Sequence, residues 1–244
     1  MSQAVASLHA QGSEGPGVVF IHGFGSDRLS WMANVPAVTQ RAKVWAVDLP
    51  GHGTSPNQLV DGSIEELTAA VARAVEPVAK EIKVVVGHSL GGAIALRLSE
   101  FLADFGAGLI LLAPAGQGQQ LDRAFLQDFP ELQDEESALN LLRRLVARER
   151  LIQPAMAKHV LSSLSDERRA ALRQIAGQVH KIQSVRLPIS SNAAVIWGTE
   201  DRINPVPEGL ENQSDVDLVL IEGAGHLPQV ENPSIVNNTI LGML

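Results

Sequence analysis

Short, unbroken apolar runs recur along the chain. They are Val18–His22, Val44–Asp48, Val84–His88, Leu109–Ala113, Ala194–Trp197 and Leu218–Ile221. Runs without polar alternation suit strands covered on both faces, as in a parallel sheet. Val5–His9 reads as a weaker edge strand, turned back by the polar stretch that follows. Between the runs the period becomes helical. Ser63 with Glu66 three positions on has the form of a capping box, and Ile64, Leu67, Val71, Ala74 and Val78 make one apolar face behind it. Pro77 distorts or ends that helix. Leu90–Leu102 is apolar on most sides and predicts a largely buried helix. Asn232 and Pro233 open a last one. Such alternation predicts right-handed βαβ crossovers.

The alternation stops between Pro114 and Pro188. Leu139, Leu142, Leu145 and Val146 follow helical spacing there. Pro154 opens a helix with Met156, Val160, Leu161 and Leu164 inward, and Ser165 caps another carrying Leu172, Ile175 and Val179. Residues 1–116 and 187–244 are therefore expected to build an α/β core, with 117–186 inserted as a helical cap. The Pro114–Pro188 block holds 11 of the 19 Lys and Arg but 9 of the 27 Asp and Glu, so its balance is opposite in sign to the remainder.

Composition narrows the function. With 244 residues, 45% apolar and 19% charged, the chain is ordinary globular material. The absence of Cys excludes disulfides, thiolate metal sites and a Cys nucleophile, and fits the cytoplasm. A net charge of −8 and 4% aromatics, with no Tyr, argue against nucleic-acid binding. No apolar run reaches the ~18–20 residues of a membrane span, and the N-terminus has no signal-peptide pattern. Neither metal nor cofactor is expected. The spacings of His22, His52 and His88 match no metal-ligand motif. Nothing in the sequence fixes an oligomeric state.

The strongest chemical signal is Gly87-His-Ser-Leu-Gly91, between a strand and a helix. A nucleophile elbow needs that context: the sharp turn lifts the Ser89 hydroxyl above the sheet edge, and glycine at both ends avoids collision with strand and helix. A serine needs a base, and the base an orienting acid. His226 follows the Leu218–Ile221 strand in a glycine-rich loop, and Asp201 follows the Ala194–Trp197 strand, with Glu200 as its rival. The order Ser, Asp, His is that of an α/β hydrolase. The loop after Val18–Phe20 should supply the Phe24 N–H to an oxyanion hole shared with the Leu90 N–H. His22 and His52 read as structural, and the 48–55 loop as a sharp turn below the site. Phe24 and Trp31 are candidate pocket residues.

HGFG at 22–25, DLPGHGTS at 48–55, GHSLGG at 87–92, WGTED at 197–201 and GAGHLPQVENP at 223–233 together resemble the α/β-hydrolase family, in its order along the chain. The resemblance implies a mostly parallel central sheet flanked by helices, with Ser89 as nucleophile, His226 as base and Asp201 as acid. Leu109–Gly116, the helical block after it and the run from Trp197 to Pro205 also resemble the hydrolase-like domain of the acetoin dehydrogenase complex acyltransferase component. That family's lipoyl domain has no counterpart in these residues. The expected activity is cleavage of a small or medium acyl ester or thioester through a covalent acyl-serine. Alternatives are carbon–carbon bond hydrolysis of a diketone, acyl transfer, or a non-turnover ligand sensor on the same fold. The expected partner is a small acyl substrate.

Overall fold

Seven strands hydrogen-bond into one sheet in the order β1-β3-β2-β4-β5-β6-β7. They are β1 Ser7–Gln11, β2 Gly17–Ile21, β3 Lys43–Asp48, β4 Ile82–His88, β5 Gly108–Leu112, β6 Ala193–Gly198 and β7 Asp217–Ile221. Only β1 is antiparallel, pairing with β3 from Ser7 opposite Asp48 to Gln11 opposite Val44. The other neighbours are parallel. Every expected run is a strand, and the edge strand starts two residues later than Val5. The computed structural model describes residues 3–117, 121–179, 181–182, 187, 192–210 and 217–244. The expected cap boundary at Arg186, and Pro188, lie outside them.

Period-two geometry divides the core between the two faces of the sheet. Val19, Ile21, Val47, Val85, Leu111 and Val195 belong to one buried cluster. Helices α2 (Ile64–Val75) and α3 (Leu90–Phe101) contribute to the same cluster. Val18, Phe20, Val44, Val86, Ile110 and Ile196 belong to the other, with α1 (Val35–Val38) and α9 (Pro233–Gly242). The Ser63 hydroxyl caps α2 by accepting the Glu66 N–H at 3.2 Å. The reciprocal half of the capping box differs from expectation. Glu66 reaches past Ser63 and accepts the N–H groups of Val60, Asp61 and Gly62, while the Ser63 N–H bonds Asp61. The preceding loop, not the cap residue, thus takes up the carboxylate.

Between β5 and β6 lie α4 (Arg123–Asp128), α5 (Glu135–Arg143), α6 (Pro154–Ser163) and α7 (Asp166–Val179). Leu172, Ile175 and Val179 are buried on α7, as their spacing requires. On α6 the buried residue is Ala157, while Met156, Val160 and Leu161 are partly exposed. The last helical elements are α8 (Pro228–Glu231) and α9. Among the described residues, no helix is long and apolar enough to cross a membrane.

Candidate active site

Ser89 stands between the last residue of β4 and the first of α3, with φ 51° and ψ −115°. Such a conformation is strained for a residue with a side chain and persists only where the surroundings enforce it. Here the Ser89 N–H bonds Leu112 O at 2.9 Å, and Ser89 O accepts from Gly92, Ala93 and Ala115. The flanking glycines are sterically required: a Cβ on Gly87 would lie 2.3 Å from Gly91 O, and one on Gly91 2.3 Å from Ile21 O.

Asp201 and His226 meet although 25 residues apart. His226 Nδ1 lies 2.7 Å from Asp201 Oδ2, with both side chains buried. Asp201 Oδ1 accepts the N–H groups of Ile203 and Asn204 at 2.9 and 2.8 Å. These bonds fix the carboxylate plane and leave Oδ2 for the imidazole. The rival Glu200 is exposed. Ser89, Leu90, His226 and Phe24 all line one cavity of about 680 Å³. Among the described residues, the backbone N–H groups of Phe24 and Leu90 take no hydrogen-bond partner, whereas the Gly25 N–H is bonded by His52. The cavity wall is mostly apolar, with Phe125, Phe129, Leu142 and Val160 from the helices between β5 and β6. Trp31 does not line it. It is fully buried against Phe20, ring centroids 4.7 Å apart, in the cluster on the opposite sheet face.

Three buried histidines strap the surrounding loops together. His22 Nδ1 bonds Gly23 O at 2.8 Å and its Nε2 accepts the Leu49 N–H at 3.0 Å. His52 Nδ1 bonds Pro50 O at 2.9 Å while its Nε2 accepts the Gly25 N–H at 3.1 Å. His88 Nε2 lies 2.7 Å from His226 O. Burial lowers the pKa of each, that of His52 to about 3, with the His22 ring adding to the effect there. His22 and His52 therefore have the structural roles expected, although His52 also forms part of the cavity wall. Asp48 anchors the 48–55 loop. Burial would raise its pKa, but the N–H groups of Thr54 and Arg28 outweigh this and hold it at about 2. Among the described residues, no group of three or more His, Asp or Glu could hold a metal ion.

Two buried polar residues escaped sequence reasoning. Asn204 donates to Ala113 O and Pro114 O at 3.0 and 3.1 Å and accepts Trp197 Nε1–H at its carbonyl, tying the Asp201 loop to the end of β5. Glu231 accepts backbone N–H groups from two separate segments. An acid amid the Pro-flanked, otherwise uncharged residues after His226 was the signal available.

The sheet, the elbow and the helical segment between β5 and β6 define an α/β-hydrolase fold. The sequence model described as "Alpha/beta hydrolase family" matches residues 18–239, and the chain belongs to that family. It is 32% identical, over 96% of its length, to the dihydrolipoyllysine-residue acetyltransferase component of the acetoin cleaving system of Pseudomonas putida. It is 28% identical, over 90% of its length, to the protein of the same description from Cupriavidus necator. The chain spans 64% and 61% of the lengths of these two relatives. Among solved structures, a meta-cleavage product hydrolase from Pseudomonas fluorescens superposes with a TM-score of 0.83 at 19% identity, covering 98% of this chain and 93% of that one. At that identity the likeness speaks for the fold alone.

Proposed function

We propose that the chain is a serine hydrolase that cleaves an apolar acyl ester or thioester, with 117–186 as the cap over its acyl chamber. The observation that carries this reading is the buried 2.7 Å contact of His226 Nδ1 with Asp201, in the same cavity as a serine on a strained elbow. Ser89 Oγ attacks the acyl carbonyl while His226 Nε2 takes its proton. Asp201 holds the ring by Nδ1–H and stabilises the imidazolium. The carbonyl oxygen, now negative, points at the unpartnered N–H groups of Phe24 and Leu90; one such donor is worth ~3 kcal/mol in the transition state. His226 then gives the proton to the departing alcohol or thiol. A water molecule, deprotonated by His226, attacks the acyl-serine, and Ser89 regains its proton as the acid leaves.

The apolar chamber favours a hydrocarbon acyl group, because its walls offer few polar partners. The test is aryl-ester turnover with fluorophosphonate labelling. Wild type should label stoichiometrically, and Ser89→Ala should lose label and turnover on the order of 10⁶-fold. Near-full esterase activity in Ser89→Ala would sink the mechanism, and a protein that never labels would instead fit a ligand sensor.

A second reading is acyl transfer, favoured by 32% identity to an acetyltransferase component over nearly the whole chain. The same acyl-serine would pass its acyl group to a thiol rather than to water. Faster acyl release to coenzyme A or dihydrolipoamide than to water selects it. Carbon–carbon cleavage of a diketone uses the same residues and would appear as preferential turnover of vinylogous diketo acids.

A further inference from the structure

The loop that carries His226 is held by the cap rather than by the sheet alone. The His226 N–H bonds Leu145 O at 2.8 Å. Glu231, five residues on, has a side chain that is 0% exposed. Its Oε1 accepts the N–H groups of Ala147 and Arg148 at 3.1 and 3.0 Å, and its Oε2 accepts that of Gly225, the residue before His226. The Arg148 guanidinium reaches Glu231 O and bonds Asn232 Oδ1 at 2.9 Å. The contact is close enough that a Cβ on Gly225 would lie 2.8 Å from both Ala147 N and Val146 Cα. One carboxylate thus joins amides more than 75 residues apart in sequence.

We infer that Glu231 is a positioning residue: it clamps the His226 loop to cap residues 145–148 and so sets where the imidazole stands. An apolar residue would fill the same space but leave three N–H groups, that of Gly225 buried and those of Ala147 and Arg148 part-buried, without an acceptor. A carboxylate serves because it has two oxygens and donates nothing, so one oxygen faces the cap while the other faces the loop. The inference rests on the reading of His226 as base.

Glu231→Gln separates the two halves of the clamp. An amide keeps one accepting oxygen and sets an NH₂ group against the remaining N–H, so cap and loop cannot both be satisfied. The resting protein is read by the downfield proton resonance of His226 Nδ1–H in its bond to Asp201, and kcat and KM are measured per fluorophosphonate-titrated site. Glu231→Gln should weaken or abolish the resonance and lower kcat ~10–100-fold, the scale set by a displacement near 1 Å, with KM little changed. Val236→Ala, a buried change on α9 outside the site, controls for lost stability and should leave both readouts as in wild type. If Glu231→Gln does not fold, Glu231→Asp, which keeps the charge but shortens the reach, is held to the same criteria. Wild-type resonance and kcat in the folded variant overturn the inference. The resonance needs no turnover, so a failed hydrolase reading, shown by an active Ser89→Ala, is distinguishable from a failed clamp.

Discussion

Acid should unfold this protein earlier than its carboxylates alone require, because three neutral imidazoles are sealed among its loops. Consider a drop from pH 7.5 to 5. In the unfolded chain a histidine with pKa near 6.5 is then almost fully protonated. In the native state His52, at about 3, stays neutral because of burial first and the His22 ring second. His88 also lies well below its ordinary value, through burial and the neighbouring His226. Each pKa is lowered on folding, so the stability is complete above pH ~6.5 and is lost as pH falls towards the folded values. At pH 5 the unfolded state gains roughly 2 kcal/mol from His52, and His88 adds to it. His22 acts in the same direction. The carboxylate of Asp48, at about 2, adds its own loss only below pH ~4. Against a total of ~5–15 kcal/mol for a typical domain, this is a large fraction. Urea unfolding between pH 7.5 and 5 measures it. His52→Gln offers an amide in place of the ring, to Pro50 O and the Gly25 N–H, without a titratable proton. Its stability should fall less steeply, by roughly 1.4 kcal/mol per pH unit, in the range below pH 6. A wild type equally stable at pH 7.5 and 5, or a His52→Gln protein with the wild-type slope, refutes the reasoning.

The remaining predictions concern the relay and the chamber. Asp201→Asn should keep the fold yet lower kcat ~10⁴-fold, since an amide can set its NH₂ against Nδ1–H and favour the wrong tautomer; steady-state ester kinetics check it, and a loss under tenfold contradicts the acid's role. Phe129, 2% exposed, packs edge-on to Phe24 with ring centroids 5.8 Å apart. Phe129→Ala should cost ~3–5 kcal/mol in urea unfolding and shift preference along a series of aryl esters towards longer acyl chains. An unmoved chain-length optimum would argue against its place in the acyl chamber.

Much of this architecture is legible because the relevant signals are local. Strands buried on both faces read as apolar runs, and Ser89, Asp201 and His226 each sit in the loop directly after one, where glycines mark the turns. Phe24 was legible for the same reason. Trp31 was not: aromatic residues near a loop are equally at home in a pocket or a core, and only the direction of the short helical turn at 28–31 sends this one to the far side of the sheet. Glu66 shows a subtler limit. Its spacing from Ser63 fits a capping box, but the loop before the helix offers three N–H groups and wins the carboxylate. Asn204 and Glu231 are harder still, since each also bonds a segment 83 to 91 residues away, which leaves no periodic trace. The helices of four residues, Val35–Val38 and Pro228–Glu231, are too short for any period to show.

The 145–148 segment presents a main-chain carbonyl to the His226 N–H, two main-chain amides to the Glu231 carboxylate, and the Arg148 guanidinium to Asn232. Apart from the Arg148 guanidinium, what the 145–148 segment contributes to this seam is main chain, and that contribution is indifferent to the side chains of Leu145, Val146 and Ala147. Helices between β5 and β6 can therefore exchange their inward residues, and with them the size and shape of the cavity, while the attachment beside His226 stays the same. A change in the shape of the cavity is thereby uncoupled from the His226–Asp201 pair beside it, provided the chain keeps its local path at that short join.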